Sequence, residues 1–395
     1  MFIDLILPGL IVAILNIIVM FLLFRHKFVF IEYIAPIFLS FVIGFLIKVS
    51  CDSYKTQDIE YHGGWIVQIE NQKAWVEWEE IVVPDYCTDS KGNTYVCGSH
   101  TETIYIPHFE YWRLTDSNGY SIYIDDFHYE EIEKIWNQQS IITDGHRNDY
   151  HFHSGDGRYI YCDWNGLNRI PCTTVHSYVN KVQAADQSIF HFNEVSKEDI
   201  QKYSLYEYPP IYSYYKMNYI SGNAPNLDQA NVKLENLNAV LGKNKQVNIR
   251  ILIFNENPIE AALLQEALWQ GGNKNEFIVC IGTDKDYNVK WSHIISWTQI
   301  QKLKIKIRDY ARSMKTLDLL SLIDYMGPEI EKDYKRREFK EFNYLEIRTT
   351  FGEKITSFII TLVLTIIMDI VFITNDLNED NCFLFGNVFK RNSLK

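Results

Sequence analysis

SFIITLVLTIIMD, residues 357–369, is apolar enough for a lipid bilayer, yet Ser357, Thr361, Thr365 and Asp369 recur at every fourth position. At 3.6 residues per turn that spacing stacks the four polar side chains along one helical face. A polar stripe on an apolar helix needs a partner, so the chain is read first for other helices that could supply one.

Two such segments lie at the other end of the chain. Residues 1–24 contain one charge, Asp4, and residues 28–49 contain only Glu32 and Lys48. Each can cross a hydrocarbon layer, which takes ~20 residues, and residues 355–374 make a third span. The first segment lacks a basic start and is followed, after Arg25-His26-Lys27, by the second apolar run, which reads as a membrane hairpin and not as a cleaved leader. Each span carries one small or polar face: Gly9, Ala13 and Asn16 on the first, Ser40, Gly44 and Lys48 on the second. Helices in lipid associate through close backbone approach at small residues and through hydrogen bonds between polar ones, so a three-helix bundle is expected. If the first and third spans run in the same direction, Asn16 and Asp369 both lie about 21 Å along their helices and pair. The expected intramembrane contacts are therefore Asn16, Ser40, Lys48, Thr361, Thr365 and Asp369.

The 395 residues carry a formal net charge of −12 and no segregated basic face, which excludes nucleic acid as a partner. Residues 332–340 are basic but include Asp333 and Glu338, and read as a solvated face beside the membrane. Arg25 and Lys27 in the short loop place that loop in the cytoplasm and residues 50–354 outside, against the opposing signal of Arg348, Lys354, Asp376, Glu379 and Asp380 around the third span.

Between the spans the chain changes character twice. Residues 51–200 read as a β-rich domain, with alternating stretches such as WIVQIE and AWVEWEEIVV and a hairpin turn at Asn118-Gly119. Its aromatic residues, among them Trp65, Trp75, Trp78, Tyr105, Tyr111, Trp112 and Tyr123, suit core and cross-strand packing or a carbohydrate or peptide surface. Cys87 and Cys97 flank a turn at Lys91-Gly92-Asn93, and Cys162 and Cys172 flank one at Asn165-Gly166, with nine residues inside each pair. A disulfide within each pair is the first expectation and would favour an oxidising compartment, with free thiols or a zinc site as the alternatives. DGHRNDYHFHSGDG (residues 144–157) is either a polar loop or a metal site built on His146, His151 and His153, near Asp144, Asp149 and Asp156.

After a Tyr- and Pro-rich linker at residues 201–225, residues 226–352 alternate helices with short apolar strands, which implies an α/β domain. One helix is expected to end at Gly242 and another at Gly271. Here LNAVLGKNKQVNIRILIF followed by QEALWQGGNKNEFIVCIG resembles the TPM domain, a small phosphatase-like α/β sandwich of membrane-anchored envelope proteins, over about residues 225–330. Stretches such as WQGGNKNEF and HSYVNKVQA also look like those of membrane proteins encoded by tailed phages. Trp291-Ser292-His293 replaces the Gly-Glu element of the TPM family, so no catalytic residue carries over. The Gly-rich turn follows a helix and leads into a strand, the wrong order for a phosphate loop. The expected fold is thus α+β and membrane-anchored, with three transmembrane helices (residues 1–50 and 353–375), a β-rich domain, a TPM-like domain and a tail from 376. The expected function is non-enzymatic, needs no cofactor, and joins membrane lipid to a membrane or envelope protein. The competing expectation is a hydrolase, either a degenerate TPM phosphatase or a metal enzyme.

Overall fold

The computed structural model describes residues 2–24, 30–148, 151–185, 192–209 and 217–377. The sequence features at Arg25, Lys27, Asp149, Glu379 and Asp380 lie outside them. The chain divides into two compact units, one comprising Met1–Asp58, Ser177–His191 and Glu338–Lys395, the other Ile59–His176 and Phe192–Arg337.

The first unit is built on α1 (Phe2–Phe24), α2 (Phe30–Thr56) and α10 (Phe351–Leu377), each of which packs on the other two. All three contain a stretch long and apolar enough to cross a membrane: Ile3–Leu22, Ile34–Thr56 and Phe351–Thr374. Contacts between α1 and α10 advance together along both helices, Leu5 with Ser357 and Asn16 with Asp369, so these two helices run parallel. Gly9 meets Ser40 and Gly44 meets Ile6, so α2 runs antiparallel to α1. At the end of α2 the Thr56 carbonyl accepts from the Asn180 N–H at 2.6 Å, and Asn180 caps the short helix α4 (Lys181–Ala184).

In the second unit the described strands form three sheets. The largest has six strands, ordered β5 (Ser121–Ile124), β4 (Tyr111–Asp116), β1 (Gln57–Gln72), β7 (His151–Asp163) and β6 (Ile141–Asn148), with β8 (Pro171–Val179) also paired to β1. The turn at Asn118-Gly119 forms as expected: Gly119 has φ of 86°, and Asp116 Oδ1 accepts from the N–H groups of Asn118 and Tyr120. Alternate residues supply one covered face: Ile69 lies opposite both Leu114 and Cys162, and these pack against Tyr129, Ile132 and Trp136 of α3 (Asp126–Trp136). A register shift between Ile66 and Gln68 brings Ile66 onto the same face as Ile69. The cap of α3 is Asp125, whose side chain accepts from the His128 N–H, and Asn137 closes its other end in the left-handed conformation.

β2 (Trp75–Thr88) and β3 (Thr94–His108) form a separate two-stranded ribbon. β3 is exposed from Thr94 to Pro107, and Trp78 and Tyr105 are solvent-facing partners across the ribbon, so cross-strand pairing and not a core accounts for them.

The third sheet has the order β12 (Val289–Ser296), β11 (Glu276–Thr283), β10 (Asn248–Asn255) and β9 (Ile220–Ser221). β9, β10 and β11 are parallel and β12 is antiparallel. Period-two alternation splits its core. Ile249, Ile251 and Ile253 pack against Leu234 and Leu241 of α6 (Leu227–Lys245), Leu303 of α8 (Gln301–Ser313) and Met326 of α9 (Leu319–Asp333). Leu252, Phe254 and Ile278 pack against Ala261 and Ala262 of α7 (Glu260–Leu268). Strands buried on both faces read as continuous apolar runs, as VNIRILIF and EFIVCIG do.

The start of the Tyr-rich linker is packed in place, and its residues 210–216 lie outside the described ones. After the short helix α5 (Lys197–Lys202), Leu205 is buried in the α7-side core, and the Tyr206 backbone exchanges hydrogen bonds with Gln265 at 2.8 and 3.0 Å. Gly242 is also not a helix end: α6 continues to Lys245, and Gly242 is where β1 touches it. A Cβ on Gly242 would stand 2.3 Å from the Gly63 carbonyl, and one on Gly63 2.2 Å from the Asn238 carbonyl. Two glycines let a strand of the large sheet lie directly on a helix of the α/β layer.

Candidate functional site: a polar helix seam and an arginine face

The expected stripe faces inward. Ser40, Ser357, Thr361 and Thr365 are buried, and Asn16 Nδ2 donates to Asp369 Oδ1 at 3.1 Å. Ser357 Oγ donates to the Leu5 carbonyl at 2.8 Å, Ser40 Oγ to Ile37 and Thr365 Oγ1 to Thr361 within their own helices. Gly9 admits this layer, since a Cβ there would lie 2.8 Å from Thr361 Oγ1 and 3.1 Å from Ser40 Cβ. The outer faces are the reverse: Leu22 is 72% exposed, Phe38 68% and Ile370 59%. Lys48 reaches the end of the bundle, bonding Asp52 Oδ1 at 2.6 Å and the Ile347 carbonyl at 3.1 Å. Two turns further on, Lys55 pairs with Glu353 at 2.5 Å.

Of the two expected disulfides, Cys87–Cys97 forms, with Cα atoms 5.6 Å apart near the ribbon tip. Asp89 closes that tip by accepting from the Lys91 and Asn93 N–H groups at 2.8 and 2.9 Å, and these bonds, the one from Asn93 foremost, hold its carboxyl below the usual range. Cys162 and Cys172 are free thiols. Their segment is no hairpin. Trp164 N–H bonds Val67 O and Ile66 N–H bonds Ile170 O, so β7 and β8 follow one another along the same edge of β1 and the two cysteines occupy separate rungs. Burial pushes the Cys162 thiol up to about 11 and the Cys172 thiol well above its ordinary value.

The histidines do not gather into a metal centre. His146 and His153 are cross-strand neighbours with ring centroids 5.2 Å apart, while His151 sits opposite Asn148. His146 is instead stacked on Trp75 at 3.6 Å, with His108 on the other face of that indole at 4.1 Å, and its Nδ1 bonds the Asp156 carbonyl. Among the described residues no three His, Cys, Asp or Glu side chains are placed to hold a metal ion.

Two charge clusters escaped the sequence reading. Arg336, expected in a solvated basic face, grips both carboxylate oxygens of buried Glu60, which also meets His62 at 3.0 Å and Lys274 at 3.8 Å. Burial raises the Glu60 carboxyl, but the His62 hydrogen bond and the Arg336 and Lys274 charges outweigh it and hold it below the usual range. Lys274 belongs to the Gly-rich turn, whose next residue, Asn275, donates to the Tyr61 carbonyl at 2.5 Å. That turn closes α7 as expected, with Gly271 at φ 81° and its N–H on Glu266 O. Its Asn273 N–H is taken by the chain's own Glu276 carboxylate at 2.8 Å, so the turn seats the β module and does not cradle a phosphate.

The second cluster lies on the face of the large sheet away from α3. Pairing aligns Tyr123, Arg113, Glu70, Tyr161 and Ile141 in one row across five strands, with Tyr111, Gln72, Tyr159 and Thr143 in the next. Glu70 is fully buried under its partners. Arg113 pairs with Glu70 Oε1, while Arg147 Nη1 and the Tyr159 hydroxyl donate to Oε2 at 2.9 and 2.6 Å. The Arg113 and Arg147 side chains keep 20% and 24% of their surface in solvent. Each also lies over a tyrosine ring, Arg113 on Tyr111 and Arg147 on Tyr159. One carboxylate thus fixes two guanidinium groups, leaving a local excess of one positive charge. Spacing along the chain could not show this, because the three charges come from three different strands.

Comparison with known proteins returns no matching family model, curated protein or solved structure.

Proposed function

We propose that this chain is an integral membrane protein that presents its soluble unit on the extracytoplasmic side, as a non-enzymatic module for contact with a membrane or envelope partner. The observation that carries the reading is the inverted polarity of the three-helix bundle. Its hydrogen-bonding side chains point inward, beside a few buried apolar ones such as Leu5 and Ile43, while its outer surface is apolar, the arrangement favoured when the surrounding solvent is lipid. In water so large an apolar surface would drive association. The Cys87–Cys97 disulfide supports the extracytoplasmic side, because such bonds persist in oxidising compartments. A phage setting, implied by the resemblance, would make the partner a host-envelope component.

Membranes washed in alkaline carbonate should retain the protein, and its release would remove the anchoring claim. For sidedness, Thr101→Cys on the exposed ribbon, in a background whose native cysteines are serine, should react with an impermeant maleimide on intact cells. Reaction only after lysis would put the unit in the cytoplasm.

A further inference from the structure

We propose that the Arg113–Arg147 face of the six-stranded sheet binds an acidic glycan, its carboxylates at the two guanidiniums and its sugar rings on the flanking tyrosines. This deepens the proposed function by naming the chemistry of the partner, and it rests on that reading only for where such a polymer is met.

The row from Tyr123 to Ile141 crosses four strand spacings, roughly 19 Å, which is room for a short oligosaccharide. Along it the protein offers a tyrosine that is 71% exposed, an arginine, a buried anion holding that arginine in place, and another tyrosine. Phe152, beside Arg147 on the neighbouring strand pair, is also exposed. The preorganisation matters because a guanidinium already immobilised by Glu70 loses little further freedom when it binds a carboxylate. Tyrosine contributes a rigid ring with a polar edge, suited to the mixed apolar and hydroxyl surface of a sugar. Charge complementarity is local, since a chain of net charge −12 repels polyanions elsewhere on its surface. An acidic peptide is less well matched. Extended peptides add to a sheet at its edge through main-chain bonds, whereas the recognition groups here stand on the face.

The test uses the full chain in detergent micelles, titrated with oligogalacturonate, with neutral dextran oligomers and polyglutamate as comparators. Oligogalacturonate should bind, more weakly as salt rises, and dextran and polyglutamate should bind at least about tenfold more weakly. Tyr123→Ala, a change at an exposed position, should weaken oligogalacturonate about tenfold, and Arg113→Gln by more, with Arg113→Lys recovering part of the loss. Thermal melting of each variant separates lost binding from lost fold. Undiminished affinity in a folded Tyr123→Ala variant, no affinity for oligogalacturonate, or equal affinity for polyglutamate would each overturn the proposal. None depends on sidedness, so the cell-labelling result stands or falls separately.

Discussion

At the scale of single residues, chemistry is set by what each polar group meets once buried. Asn16 and Asp369 stabilise the bundle by a hydrogen bond of the strength usual between helices in lipid, so Asn16→Leu should cost about 1 kcal/mol, read as a lower melting temperature in detergent. Glu70 is different, because its removal strands two arginines. Glu70→Gln should destabilise by about 2–3 kcal/mol, below the usual loss for a buried pair because Arg113 and Arg147 keep contact with water. His176 gives a pH signature. Burial, helped by the neighbouring His62 charge, holds it down to about 4 against 6.5 in the unfolded chain. Between those values the unfolded state binds a proton that the folded state refuses, so the contribution is complete above pH 6.5 and lost as pH falls toward 4. Melting temperature should fall over that interval, and His176→Phe should flatten the slope.

At the scale of elements, close approach and covalent closure decide which pieces hold together. β1 lies against α6 only because Gly63 and Gly242 face each other, and either one changed to alanine must push strand and helix apart. Gly242→Ala improves helix propensity by up to ~1 kcal/mol yet should lower the melting temperature, a reversal that separates packing from propensity. The ribbon has the opposite character. A lone two-stranded hairpin is marginal in water, and its disulfide closes a short loop that stabilises by about 2–3 kcal/mol. Cys87→Ser should therefore expose the tip between β2 and β3 to proteolysis while leaving the main melting transition in place. Non-reducing peptide mapping should find the Cys87–Cys97 link, with Cys162 and Cys172 alkylated only after unfolding.

At the scale of the whole molecule, the features legible in the sequence are those a segment settles with its own residues. The three long apolar helices and the stripe at residues 357, 361, 365 and 369 were legible because each helix sorts its polar and apolar faces by composition alone. The turns at Asn118-Gly119 and Lys91-Gly92-Asn93, the helix stop at Gly271 and the buried strands of the α/β layer were legible for the same local reason. Cys162 and Cys172 repeat the spacing of Cys87 and Cys97 yet stay apart, because strand register, and not spacing, sets the distance between thiols. Arg336 on Glu60, Gly63 on Gly242 and the two arginines on Glu70 were settled by tertiary structure. A buried charge or a missing Cβ acquires meaning only from the atoms brought against it, and those come from elements tens to hundreds of positions away in the chain.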